Sequence, residues 1–269
     1  MSNYKIAILG AGNAGYQLTW HLNNAGHQIV QVFSRHLPSA KWIGNLMEIP
    51  CTTSIAEITH DADIYLIAVN DDSIPGLVKQ LRLGDKVVAH TSGTVSMNIL
   101  EGVSKNYGIF YPLQTLSRNI SVDFSVIPIC MNGVNDYTRN ILKELASSLS
   151  NKVVLVDDEK RLAIHVAAVI ANNFTNHLFS ISQMILEKSG LSFEILKPLI
   201  NETVRKIQNH EPLHVQTGPA IRHDEETIRK HLEFLSKDGR FTDIYRMMSE
   251  SIGKINSEVM EESENGDRK

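Results

Sequence analysis

Cysteine is scarce, with two in 269 residues, Cys51 and Cys130. They form neither a Cys-x-x-Cys pair nor a zinc-type spacing. A disulfide framework and a metal site are therefore not expected, and the chain suits a reducing compartment. No run of about 18 apolar residues exists, so no membrane-spanning helix is expected. No Lys/Arg cluster resembles a nucleic-acid patch, and the net charge of −4 does not favour a polyanionic partner. The first residues lead straight into a strand-like run with no basic stretch or cleavage site, which leaves no expected signal peptide and makes cytoplasmic the default location. Repeats and low-complexity segments are also missing. What is present is an ordinary globular composition, 42% hydrophobic and 21% charged. Disorder is expected only in the polar end, 263–269.

The first half alternates strand-like and helix-like segments, the pattern of a parallel sheet covered by helices. Strands are expected at 5–9 (KIAIL), 29–33 (IVQVF), 64–69 (IYLIAV), 87–89, 107–111 (YGIFY), 127–131 (IPICM) and 152–156 (KVVLV). Helices are expected at 16–25 and 140–149, and the segment before the third strand (SIAEITHDA) is helix-like. After Asp157 the character changes. Residues 161–188 contain neither Gly nor Pro and read as one long helix, capped by Asp157 or Asp158 and ended at Gly190. Further helices are expected at 192–208, 225–236 and 242–260. The fold class is thus α/β, a Rossmann-type doubly wound sheet over 1–156 followed by an all-helical domain over 157–262.

Gly10-Ala11-Gly12-Asn13-Ala14-Gly15 is a G-x-G-x-x-G sequence. It follows a strand, opens a helix and leads to a second strand within about 30 residues, the context that a dinucleotide site requires. Gly10 makes the turn, Gly12 lets backbone approach a pyrophosphate, and Gly15 lets the helix pack on the strand. The amides at Asn13 and Ala14 sit where the helix end attracts phosphate. The second strand ends in Ser34-Arg35-His36 with no acid nearby. Ser34 and Arg35 suit a 2′-phosphate, so NADP is expected rather than NAD. Val69 and Asn70 end the third strand and are expected beside the nicotinamide ribose. His90-Thr91-Ser92-Gly93 ends the fourth, placing His90 and Ser92 at the same edge. Tyr111-Pro112-Leu113-Gln114-Thr115 follows a later strand and is expected to shape the cleft. Its Tyr-Pro peptide raises the question of a cis bond.

At 100° per residue, His165, Asn172, Asn176 and Gln183 fall on one side of the long helix. Such a stripe faces either other polar groups or a ligand cleft. Arg222, in the turn Thr217-Gly218-Pro219-Ala220-Ile221-Arg222-His223-Asp224, is a candidate carboxylate or anion clamp.

These segments resemble the Rossmann-like NADP oxidoreductases with a helical C-terminal domain of unknown function. The resemblance is carried by GAGNAG at 10–15, AVNDDSI at 68–74, HTSG at 90–93, YPLQTLS at 111–117, HVAAVIANNFTNHL at 165–178 and TGPAIRHD at 217–224. The N-terminal part also resembles the deazaflavin-dependent NADP oxidoreductases. More distantly, the chain is similar to pyrroline-5-carboxylate reductase, ketopantoate reductase and the β-hydroxyacid dehydrogenases. The family typically shows His-Pro where this chain has Tyr111-Pro112, and Arg-Gly-Asp where it has Arg222-His223-Asp224. The resemblance implies a second domain that dimerises. The β-hydroxyacid dehydrogenases carry a catalytic lysine on the long helix. This chain has no lysine between Arg161 and Lys188, and His165 occupies the comparable face.

The expectation is an NADPH-dependent reductase of a small carbonyl or imine compound, acting in an interdomain cleft. His165 or His90 would supply the proton, with Asn172 beside it, and Asn176, Arg222 and Gln114 would bind the substrate. A homodimer through the helical half is expected, with neither nucleic acid nor membrane as partner. The alternatives are a non-catalytic NADP-binding scaffold and a deazaflavin–NADP oxidoreductase.

Overall fold

The computed structural model describes residues 3–266, and side chains as far as 258. The first part runs β1 (Lys5–Leu9), α1 (Asn13–Asn24), β2 (Gln28–Phe33), α2 (Leu37–Met47), β3 (Cys51–Thr52), β4 (Ile64–Ile67), α3 (Ile74–Val78), β5 (Gly84–His90), β6 (Ser104–Pro112), β7 (Ile129–Gly133), α4 (Asp136–Leu149) and β8 (Val153–Leu155). One eight-stranded sheet has the order β3-β2-β1-β4-β5-β6-β7-β8. The chain winds outward from β1 to β3, then returns to β4 on the other side of β1. The direction of winding reverses between β1 and β4, which is where ligands bind in such sheets.

The strands are apolar on both faces because both are covered. Ile6, Ile8, Ile64 and Leu66 pack with Leu18 and Leu22 of α1 and Leu142 and Leu145 of α4. Ala7, Leu9, Tyr65 and Ile67 point the other way and pack with Ile74, Leu77 and Val78 of α3. The period of two sorts neighbouring residues into separate layers.

Several elements differ from the sequence reading. β7 runs antiparallel to β6, and β8 is parallel to β7. The link from β6 to β7 holds only a short 3₁₀ turn, Phe124–Val126, so the chain doubles back without the long crossover that a parallel partner needs. The helix expected before β4 is a single 3₁₀ turn, Ile55–Glu57. The Gln31 side chain donates to the Glu57 carbonyl (2.9 Å) and accepts from the Thr59 amide (2.8 Å), which holds that segment along the sheet. α2, β3 and α3 have no counterpart in the sequence reading. No peptide bond in the described chain is cis, Tyr111–Pro112 included.

The second half holds α5 (Asp158–Ala168), α6 (Thr175–Lys188), α7 (Lys197–Asn209), α8 (Glu225–Ser236) and α9 (Thr242–Gly266). α5 and α6 are the expected long helix, joined by a π-helical turn over Val169–Phe174. Hydrogen bonding from i to i+5 changes the angular repeat there, so a wheel drawn at 100° does not carry from His165 across to Asn176 and Gln183. The Gln183 side chain donates to Glu187 on its own helix, at 2.7 Å. His223 adopts φ of 52°, a left-handed conformation that glycine takes without strain.

The chain divides into two compact units, one ending at Asn173 and the other beginning at Phe174, rather than at 156. The reason is Arg161 on α5, which is 0% exposed. Its guanidinium donates to Gly93 O (3.3 Å), to Asp158 (2.8 Å) and to Val95 O, and the Asp158 carboxylate also accepts from the Met97 amide. α5 is thereby tied to the loop after β5. In the second unit, the buried apolar residues among those described are Ile181, Ala220 and Leu235, while Ile195, Leu199, Ile207, Phe234 and Met247 are exposed. α9 continues to Gly266, so 263–266 of the expected disordered tail are helical; 267–269 lie outside the described residues. Among the described residues, no helix is long and apolar enough to cross a membrane.

Candidate functional site

The site grows from the β1–α1 crossing. Gly10 adopts φ of 137°, and a Cβ there would lie 2.1 Å from Ala68 O. A Cβ on Gly15 would lie 1.9 Å from Gly10 O, so only glycine lets α1 sit this close to β1. At Gly12 a Cβ would meet nothing within 4 Å; its missing side chain leaves open space rather than relieving a clash. α1 begins after Gly12, and its first intrahelical bond is Tyr16 N to Gly12 O at 3.0 Å. The amides of Asn13, Ala14 and Gly15 have no partner within the helix and stand at the positive end of its dipole.

A cleft of about 390 Å³ opens at this crossing, lined by Gly10–Gly12, Ser34, Arg35, His36, Val69, Asn70, Ser73 and Arg118, among others. Arg35 lies at the end of β2 and donates to Ser73 Oγ at 2.7 Å. The Ser34 hydroxyl accepts from the His36 amide at 3.2 Å, which shapes the turn after β2. A second cation, Arg118, reaches the cleft from the segment after β6 and donates to Ala11 O.

A neighbouring cavity of about 310 Å³ shares Gly12, Val69 and Asn70 and adds Asn13, Ala14, Thr91, Tyr111, Gln114 and Leu116. The Tyr111 hydroxyl lies 3.0 Å from His165 Nδ1. Burial pushes the Tyr111 phenol above its ordinary range, so it holds its proton. His165 itself is seated on Gly93, where a Cβ would lie 2.5 Å from the imidazole Nδ1. Asn172 Nδ2 donates to Thr115 Oγ1 at 2.6 Å, beside the Gln114 wall.

Most residues expected to hold a nucleotide thus come together: Gly10, Gly12, Asn13, Ala14, Ser34, Arg35, Val69 and Asn70 line one cavity or both. Ser92 and His90 do not. Ser92 is 5% exposed, and its hydroxyl accepts from the amides of Thr94 (3.1 Å) and Val95 (3.0 Å), closing its own turn. Its neighbour Thr91 lines the cavity instead. His90 is 0% exposed, its Nδ1 accepts from the Ser92 amide at 3.2 Å, and its Nε2 has no hydrogen-bond partner. Burial and, next, the Arg161 charge lower its pKa to about 4. A neutral imidazole sealed in the sheet has no acidic proton to deliver near pH 7, which corrects its placement as proton donor. Asn176 and Arg222 belong to the second unit and are exposed there.

Arg118 and Gly93 escaped the sequence reading as site residues, and Tyr111 was expected only to shape the cleft. The Tyr-Pro pair and the glycine of HTSG were visible, but their contacts with His165 are not local. Arg118 carries no local signal.

The lowered His90 pKa has a consequence for stability. Between about pH 6.5 and 4 the unfolded chain binds more protons than the native one, so stability present at neutral pH is lost as pH falls through that window. A shift of this size corresponds to roughly 3 kcal/mol. Burial also pushes His21 and His27 down, which adds in the same direction. Urea unfolding across this range is expected to show the loss, and His90→Gln is expected to flatten it; an unchanged slope in the variant overturns the assignment.

Residues 1–114 match the family described as Rossmann-like domain, and residues 127–252 match the domain of unknown function DUF2520. No curated protein matches the chain. Among solved structures, a Bacteroides fragilis protein, an NADP oxidoreductase by name, is 38% identical over 94% of this chain and 98% of its own, with a TM-score of 0.86. A Thermotoga maritima protein is 23% identical over 94% of this chain and 99% of its own, with a TM-score of 0.78. A reductive aminase from Aspergillus terreus, solved with NADPH and ethyl levulinate, shares the fold at 12% identity, 96% and 95% coverage and a TM-score of 0.69. The chain therefore belongs to the family of the Bacteroides fragilis protein, in which a Rossmann-like domain is followed by DUF2520.

Proposed function

We propose that the chain is an NADPH-dependent oxidoreductase that reduces a small carbonyl or imine compound. The observation that carries this is the cleft at the reversal of winding. It combines unpaired amides at the start of α1, a side-chain-free Gly12, and Arg35 where an NAD enzyme would place an acid. That donor set fits a dinucleotide with a third phosphate. The amides of α1 take the pyrophosphate, Ser34 and Arg35 take the ribose phosphate, and Val69, Asn70 and Thr91 face the second ribose. When bound, the dinucleotide supplies a hydride. The name of the Bacteroides fragilis relative and the NADPH complex of the reductive aminase support this reading.

The second cavity is the substrate side. Tyr111 presents a protonated phenol there, and His165 holds the phenolic oxygen from behind. We assign Tyr111 the proton that goes to the carbonyl oxygen or imine nitrogen, and His165 the orientation and reprotonation of the phenol. Gln114 and Asn172, on and behind the adjoining wall, orient the substrate. The exposed apolar side chains of the second unit, among them Ile195, Leu199, Ile207, Phe234 and Met247, are the surface that a second copy of the chain would cover.

The first test is calorimetric titration with NADPH and NADH. NADPH is expected to bind more tightly, and Arg35→Ala is expected to remove most of that preference; equal affinities in the native protein overturn the NADP assignment. In a panel of small carbonyl and imine compounds, followed by NADPH absorbance, Tyr111→Phe is expected to lower kcat by about 10²–10⁴-fold with unchanged NADPH affinity. Full turnover in Tyr111→Phe removes the phenol from the chemistry. Sedimentation at micromolar concentration is expected to give a dimer, and a monomer value excludes it.

A further inference from the structure

The proposed dinucleotide cleft contains one cation that the family motif does not explain. Arg118 lies beyond β6, far along the chain from the glycine loop, yet its guanidinium rests on the carbonyl of Ala11 inside that loop. The backbone that carries it is pinned to α1. Gln17, 3% exposed, donates from its side-chain amide to Ser117 O at 2.5 Å and to Ile120 O at 3.1 Å. The guanidinium lies 5.1 Å from the ring centroid of Trp42, which packs at 4.9 Å against Tyr16 of α1. An aromatic shelf of this kind fixes the plane of the fork. Arg118 Nε is buried without a hydrogen-bond partner, and no carboxylate pairs with this residue among those described. A guanidinium has five donors, and here one nitrogen of the fork donates to one carbonyl.

We propose that Arg118 is the cation that holds the pyrophosphate of the dinucleotide, while Arg35 reads only the ribose phosphate. The inference rests on the dinucleotide reading above. Its geometric basis is the separation of the two cations along one cleft: Arg35 is anchored at the end of β2 on Ser73, and Arg118 at the glycine loop on Ala11. An anion at the loop completes the free terminal N–H groups of the fork with charge-assisted bonds. Arg118 therefore contributes to both NADPH and NADH, which share the pyrophosphate, and Arg35 to NADPH alone.

Calorimetry on the full chain tests this with four probes: NADPH, NADH, ADP-ribose, which carries the pyrophosphate alone, and 2′-AMP, which carries the ribose phosphate alone. Arg118→Met is expected to weaken NADPH, NADH and ADP-ribose by the same factor, about tenfold to a hundredfold, and to leave 2′-AMP unchanged. Arg35→Ala is expected to weaken NADPH and 2′-AMP and to leave NADH and ADP-ribose unchanged. Thermal melting checks that the variants fold. Arg118→Lys keeps the charge and loses the fork, and is expected to give a smaller but still equal loss for the two dinucleotides. Unchanged affinities in Arg118→Met and Arg118→Lys make the residue a latch between Ala11 and Trp42 and overturn the proposal, as does a loss confined to NADPH and 2′-AMP. Native protein that binds NADPH while these variants behave so refutes Arg118 alone; native protein that binds neither dinucleotide refutes the dinucleotide reading and this inference with it.

Discussion

Two absent side chains hold the first unit in its working shape. The backbone of Gly10 passes the carbonyl of Ala68, and that of Gly15 passes the carbonyl of Gly10, at distances no Cβ tolerates. Three segments, the end of β1, the end of β4 and the first turn of α1, therefore meet at one crossing. The open amides of α1, the bare surface of Gly12 and the side chains of Val69 and Asn70 all face the same space because of that approach. A wider crossing would let a helix start elsewhere and scatter these groups.

A second constraint places His165 and Tyr111. Arg161 is wholly buried, and its charge is balanced by Asp158 and two backbone carbonyls of the loop after β5. A buried cation of this kind is costly unless every donor is used, so it admits few arrangements of its neighbours. One turn further along α5, His165 is delivered onto Gly93 and against the Tyr111 hydroxyl. The same charge helps keep His90 neutral beneath the sheet. One buried guanidinium thus joins helix to loop and bears on the surroundings of two histidines.

The legible parts of the chain were those whose cause is local. The glycine spacing at 10–15, the apolar strands and the residues that end β2 and β4 all act within one β-α-β unit, where order along the chain is order in space. Ser34, Arg35, Val69 and Asn70 were placed for that reason. His90 and Ser92 sit in an equally suggestive position, yet alternation along β5 and the turn after it send them inward and leave Thr91 at the surface of the cavity. The π-turn at Val169–Phe174 broke the helical wheel for a related reason: the wheel assumes one repeat, and the backbone used two.

Read alone, the amino-acid order determined the class of fold, the glycine turn after β1 and the cation at the end of β2, because each follows from residue type and short spacing. Tertiary structure decided which side chains reach the cleft from elsewhere. Arg118 meets Ala11 across 107 positions, Arg161 meets Gly93 across 68, and Tyr111 meets His165 across 54. Contacts at such separations depend on how sheet and helices pack, and packing energy belongs to the assembled layers rather than to any stretch of sequence.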